Sequence, residues 1–116
     1  MSDSLREFAA RRRRQNERLL QDAPLPIKRF FALDADVYQE GALPKKTKEL
    51  LGLAASTVLR CNDCIAYHIG EATTAGGATR DELFEAIGIA LVVGGSITIP
   101  HLRFATEYIG RSTTDD

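Results

Sequence analysis

The stretch Cys61-Asn62-Asp63-Cys64-Ile65-Ala66-Tyr67-His68 holds both cysteines of the chain and one of its two histidines. Wound as a helix at about 100° per residue, it brings Cys64 to roughly 60° and His68 to roughly 20° from Cys61 around the axis. The two thiols and the imidazole then share one narrow stripe. A nucleophile one turn from a base, and one turn from a second thiol able to close a disulfide, is the arrangement that thiol redox chemistry requires.

Helical periodicity continues on both sides of this stretch. Upstream, Pro44 is expected at the first position of a helix that carries Glu49, with Leu50, Leu51, Leu53, Ala54, Thr57 and Val58 forming a broad apolar face. Before it, Pro24-Leu25-Pro26 breaks the chain, a helix begins near Ile27, and Gly41 marks its stop. That helix is expected to turn Ile27, Phe30 and Phe31, with Val37 and Tyr38, toward a core. Residues 4–21 read as the first helix, with Ser4-x-x-Glu7 at capping-box spacing and a partial apolar stripe of Leu5, Phe8, Ala9, Leu19 and Leu20. Its run Arg11 to Arg14 reads as a solvated face, because Glu7 and Glu17 lie nearby and the chain as a whole is not basic.

Downstream, the cysteine helix is expected to end at Gly76-Gly77, and Thr79-x-x-Glu82 to open the next. Apolar residues from Leu83 to Ile99 surround almost every side of that fifth helix, so it should be buried on most faces. A small monomer has difficulty covering such a helix, which points to an oligomer. A buried strand over residues 89–93 is the competing reading, and the cap at Thr79 with the charged start at Asp81, Glu82 and Glu85 favours helix. Gly94-Gly95 and Pro100 separate it from a short last helix near residues 97–110, and Ser112 to Asp116 form a polar tail. The expectation is an all-α fold in a single domain, residues 1–116.

Composition narrows the function classes. With 116 residues, 44% apolar and 27% charged side chains and a net charge of −1, the chain carries no long-range field toward nucleic acid or lipid. Its first residues lack an apolar signal region, and no uninterrupted run of about 18 apolar residues is present to span a bilayer. A cytoplasmic location is therefore expected. In that reducing compartment a lone Cys-x-x-Cys serves catalysis or metal binding more often than a permanent staple.

Thiolate is the reactive form of cysteine, and an ordinary thiol pKa of about 8.5 leaves little of it at neutral pH. Three features oppose that here. Cys61 lies near a helix start, where free N–H groups and the macrodipole favour an anion. Arg60 adjoins it. His68, four residues beyond Cys64, can take the thiol proton or, once protonated, hold the thiolate. Asp63 works the other way by adding negative charge, although on a regular helix it points roughly opposite the cysteine stripe. Without the cysteine motif, Glu49 would read as an exposed carboxylate paired with Lys45 or Lys46. Two bland alternatives stand beside the redox reading: the cysteines as small buried hydrophobes, and a zinc site of Cys61, Cys64, His68 and His101. The gap from His68 to His101 is long for a compact zinc finger, and His101 alone reads as a polar-tipped surface residue. Tyr67 reads as packing.

Glu49, eleven intervening residues, then Cys61-x-x-Cys64-x-x-x-His68, and later Gly94-Gly95 in an apolar helix, together resemble the carboxymuconolactone decarboxylase family, and more narrowly its alkylhydroperoxidase AhpD-like branch. The resemblance covers residues 27–110. It implies an AhpD-like multihelical bundle assembled as a homotrimer or homohexamer, and a redox-active disulfide with no cofactor. It further implies that Cys64 attacks a hydroperoxide, Cys61 resolves the product as a disulfide, His68 moves the proton, and Glu49 orients or recharges His68. A dithiol or a lipoylated protein would then act as reductant. Members named for decarboxylating carboxymuconolactone generally lack the cysteine pair. The better-known hydroperoxidases carry a histidine between the cysteines where this sequence has Asp63, so a general disulfide oxidoreductase with weak peroxidase turnover is the broader expectation.

Overall fold

The computed structural model describes residues 3–110, and among them every regular element is helical. In chain order they are α1 (Asp3–Asp22), α2 (Leu25–Val37), α3 (Lys45–Val58), α4 (Asn62–Thr74), α5 (Arg80–Gly94) and α6 (Ile99–Thr106), the last preceded by a 3-10 turn at Ser96–Thr98. This meets the all-α expectation. The polar tail expected at Ser112 to Asp116 lies outside the described residues.

Helix α3 is the centre of the bundle, with α4 and α5 packed on it, while α1 and α6 pack against α4. One hydrophobic cluster joins Leu53 of α3, Ile65 and Ile69 of α4, Leu83 and Ile87 of α5, Leu5 of α1 and Ala105 of α6. Leu53, Ile65 and Ile69 are fully buried. At about 1.5–3 kcal/mol for each buried Leu or Ile, these three side chains hold α3 and α4 in the register that the site between them needs.

Local chemistry explains where the helices begin. Pro44 has extended backbone (φ −61°, ψ 155°), so it stands just outside α3 and not at its first position; its carbonyl accepts from Lys48 N–H at 3.0 Å. The capping box of α5 is complete, with Glu82 N–H donating to Thr79 Oγ1 at 3.1 Å and Thr79 N–H to Glu82 Oε1 at 2.8 Å. Residues 89–93 are helical, so the alternative strand does not form. Pro100 falls in the first turn of α6, where its missing N–H costs nothing, and the last helix is therefore shorter than residues 97–110. Helix α1 starts at Asp3, which puts Ser4 inside the first turn and not at a cap, and α4 stops at Thr74, short of Gly76-Gly77.

Two expectations about burial are corrected. Helix α2 contributes no buried residue: Phe30 is 67% exposed, Ile27 and Val37 are exposed too, and only Phe31 and Tyr38 turn partly inward. Among the described residues nothing buries its apolar stripe. Helix α5 is buried on one side only, through Leu83, Ala86, Ile87 and Ala90; Ile89, Val92 and Val93 form an exposed stripe on the other.

A short reversal joins α3 to α4. Cys61 N–H donates to Ser56 carbonyl and Arg60 N–H to Thr57 carbonyl, both at 3.0 Å, which is the Schellman pattern of a helix end. Arg60 occupies its left-handed position, at φ 62°, where glycine is the usual residue. A left-handed non-glycine residue costs about 1–2 kcal/mol, partly offset by the freedom glycine adds to the unfolded chain. Arg60→Gly should therefore raise stability to urea by about 0.5–1 kcal/mol. An unchanged or lower midpoint would mean that the arginine side chain contributes more than its backbone costs.

Candidate active site

The reversal at Arg60 delivers Cys61 to the cap position of α4. Its Sγ accepts the Cys64 backbone N–H at 3.3 Å, and its carbonyl accepts from Ile65 at 2.9 Å. The expected helix start at Cys61 is thus realised, with sulfur doing what a serine oxygen does at such caps. Cys61 and Cys64 are joined in a disulfide, their Cα atoms 5.3 Å apart.

One turn beyond Cys64, His68 faces α3. Its Nδ1 lies 2.8 Å from Glu49 Oε1, and Glu49 Oε2 accepts from Lys45 Nζ at 3.0 Å. Glu49 is 1% exposed, so the exposed-carboxylate reading is overturned while its pairing with Lys45 holds. Burial alone would push the Glu49 carboxyl up, but the hydrogen bonds from His68 and Lys45 and their charges outweigh it and hold the group below its ordinary value. Glu49 is therefore an anion at neutral pH. An anionic acceptor at Nδ1 keeps the proton on that nitrogen and leaves Nε2 as the basic one.

Gly52, one turn after Glu49 on α3, makes room for this pair. A Cβ there would stand 2.6 Å from His68 Cε1 and 2.7 Å from Tyr38 Oη. The imidazole is further held by Tyr38, 5.3 Å between ring centroids, and by Tyr67 edge-on at 5.1 Å. Burial, with Glu71 and Glu49 nearby, pushes the Tyr67 phenol up to about 12; it stays protonated, consistent with packing and not acid–base work. Burial, then Glu49 and Asp34, likewise raises Tyr38.

A cavity of about 180 Å³ is lined by Arg12, Phe30, Phe31, Asp34, Cys64, Tyr67 and His68. Cys64 is among its lining residues and Cys61 is not. The run Arg11 to Arg14 is not uniformly solvated: Arg12 lies over the Tyr67 ring at 4.0 Å and donates to Asp63 Oδ2 at 2.9 Å. Sequence spacing could not find this pair, which joins residues 51 positions apart. The places of Gly52 and Asp34, and the part that Phe31 and Tyr38 play at the site and not in a core, are hidden from the sequence for the same reason, since no local pattern marks a residue whose role is set by another helix.

His101 is half-buried, and its Nδ1 pairs with Asn62 Oδ1 at 2.7 Å, not with a sulfur. Among the described residues no group of three or more His, Cys, Asp or Glu is placed to hold a metal ion. The alternative zinc set of Cys61, Cys64, His68 and His101 is thus not gathered.

The fold has counterparts among solved structures. A Thermotoga maritima crystal structure matches with a TM-score of 0.82 and 54% identity, over 89% of this chain and 86% of that one; it is described as a carboxymuconolactone decarboxylase family protein with a suggested part in an antioxidative response. A Legionella pneumophila protein of the same family matches with a TM-score of 0.81 and 30% identity, over 93% of this chain and 96% of that one. The Corynebacterium kroppenstedtii alkyl hydroperoxide reductase AhpD is 33% identical over 65 residues, 56% of this chain and 37% of that protein. The sequence model of the carboxymuconolactone decarboxylase family matches residues 24–108. The family model spans most of the chain and the solved structures share its helical bundle, so the chain belongs to the carboxymuconolactone decarboxylase family.

Proposed function

We propose that the protein is a thiol-dependent peroxidase or disulfide oxidoreductase that works through Cys64 and Cys61. The observation that carries this reading is Cys64 in the wall of a cavity shared with His68, whose other ring nitrogen is bonded to a buried, anionic Glu49. Similarity to an alkyl hydroperoxide reductase supports it.

In the reduced protein, Nε2 of His68 takes the Cys64 proton. The thiolate attacks the distal oxygen of a hydroperoxide; the O–O bond breaks, Cys64 becomes a sulfenic acid, and the alkoxide leaves with a proton returned from His68. Cys61 then attacks the sulfenic sulfur, the S–S bond forms and water leaves. A dithiol or lipoylated protein restores both thiols and is itself oxidised to a disulfide. The disulfide-bonded state is the oxidised half of this cycle. A cytoplasmic setting supplies such donors. Among the described residues no helix is long and apolar enough to cross a membrane.

Assembly as a homotrimer or homohexamer is part of the same proposal. The exposed stripe of Ile89, Val92 and Val93 supports it, since leaving such a stripe in water forfeits the burial that a second copy provides.

Limiting hydroperoxide should consume two thiols per reduced chain, and Cys64→Ser should abolish turnover while Cys61→Ser stops after one equivalent. Turnover surviving in Cys64→Ser would end this reading. Glu49→Gln removes the anion behind His68 and Gly52→Ala drives a methyl into the imidazole; each should lower the peroxide rate constant by about 10- to 100-fold at neutral pH. A rate within twofold of the parent in both would exclude the relay. Light scattering at micromolar concentration should give three or six times the chain mass, and a stable monomer would contradict the assembly.

A further inference from the structure

The proposed cycle makes no use of Arg12, yet this side chain is the permanent cation among the residues lining the Cys64 cavity. It comes from α1, before the family match begins at residue 24. Two contacts fix its guanidinium. One face covers Tyr67 at 4.0 Å, and Nη1 donates to Asp63 Oδ2 at 2.9 Å. Asp63 is the residue immediately before Cys64, and its side chain is 68% exposed, against 30% for Arg12. A bare carboxylate beside a thiol disfavours the thiolate, and a guanidinium bonded to it cancels that field.

We propose that Arg12 is a positioning residue for the Cys64 thiol: clamped between Tyr67 and Asp63, it offsets the Asp63 carboxylate and keeps Cys64 in its reactive, ionised form near neutral pH. This rests on Cys64 being the thiol that faces the cavity, and not on peroxide turnover. The other charged or titratable groups around the site include Arg60 beside Cys61, Asp34 of α2, Lys45 and Glu49 of α3, Tyr67, His68 and Glu71 of α4, Tyr38 after α2, and His101 of α6 through Asn62. Substitutions at Arg12 and Asp63 leave all of them in place, so a comparison of variants isolates this one pair.

The test reads the thiol directly. In the full chain carrying Cys61→Ser, Cys64 is the only thiol left. It gives its proton to His68 and so to solvent, and the thiolate displaces iodide from iodoacetamide to form an S–C bond. The alkylation rate is followed across pH from about 6 to 10, a span that brackets an ordinary thiol titration. Arg12→Gln should slow alkylation at neutral pH by about two- to fivefold and move the profile to higher pH, the size expected for one charge acting through solvent at a cavity rim. Arg12→Lys should keep most of the rate. Adding Asp63→Asn to the Arg12→Gln protein should restore it. A profile unchanged in Arg12→Gln, or a slowing that Asp63→Asn does not relieve, overturns the proposal. Circular dichroism accompanies each variant. Should Arg12→Gln lose its helical signal, Asp63→Asn alone carries the test: faster alkylation bears the proposal out, and an equal or slower rate overturns it. A protein inert to peroxide but showing this pattern would count against the peroxidase reading alone.

Discussion

A carboxylate with almost no contact with water has to be compensated, and the bond from Glu49 to His68 is the constraint on which the rest of the site depends. A buried ion left without its partner costs several kcal/mol, whereas a fully hydrogen-bonded one is tolerated. Both Glu49 oxygens are satisfied, one by His68 and one by Lys45. The pair fixes the rotation of α4 against α3, because the imidazole meets the carboxylate only in one register. That register also decides which way the rest of the cysteine stripe points. Packing of Leu53, Ile65 and Ile69 and the polar bond therefore enforce the same arrangement by independent means.

Much of this was legible in the residues. Cys64 and His68 stand one turn apart as helical spacing requires, with Cys61 at the cap just outside α4, and the Thr79 to Glu82 capping box marks a helix start with two reciprocal bonds, both of which form. Glu49 needed the resemblance, since by itself it looks like any surface carboxylate four residues from a lysine. What could not be read is the set of contacts between distant segments. Arg12 belongs to a run of four arginines whose members are equivalent in sequence, and only the approach of α1 to α4 singles one out. Burial failed in a related way. The apolar residues of α2 and α5 are evident in the sequence, but periodicity says that a face avoids water and not which molecule covers it.

Asp63 changes meaning once its partner is known. Taken with the sequence neighbours alone, it is an acid set against thiolate formation. Joined to Arg12, it becomes half of a neutral pair at the edge of the cavity, and the local field at Cys64 is closer to that of an uncharged rim. The departure from the histidine found in better-known hydroperoxidases is thus accompanied by a compensating charge from a helix outside the family match.

The wall formed by α2 carries a mechanical consequence. Phe30, Phe31 and Asp34 close one side of the Cys64 cavity, yet their helix contributes nothing to the buried core. The side chains that enclose the sulfur on this side are therefore not those that hold the bundle together, and within one chain the enclosure of the site and the packing of the core rest on different residues.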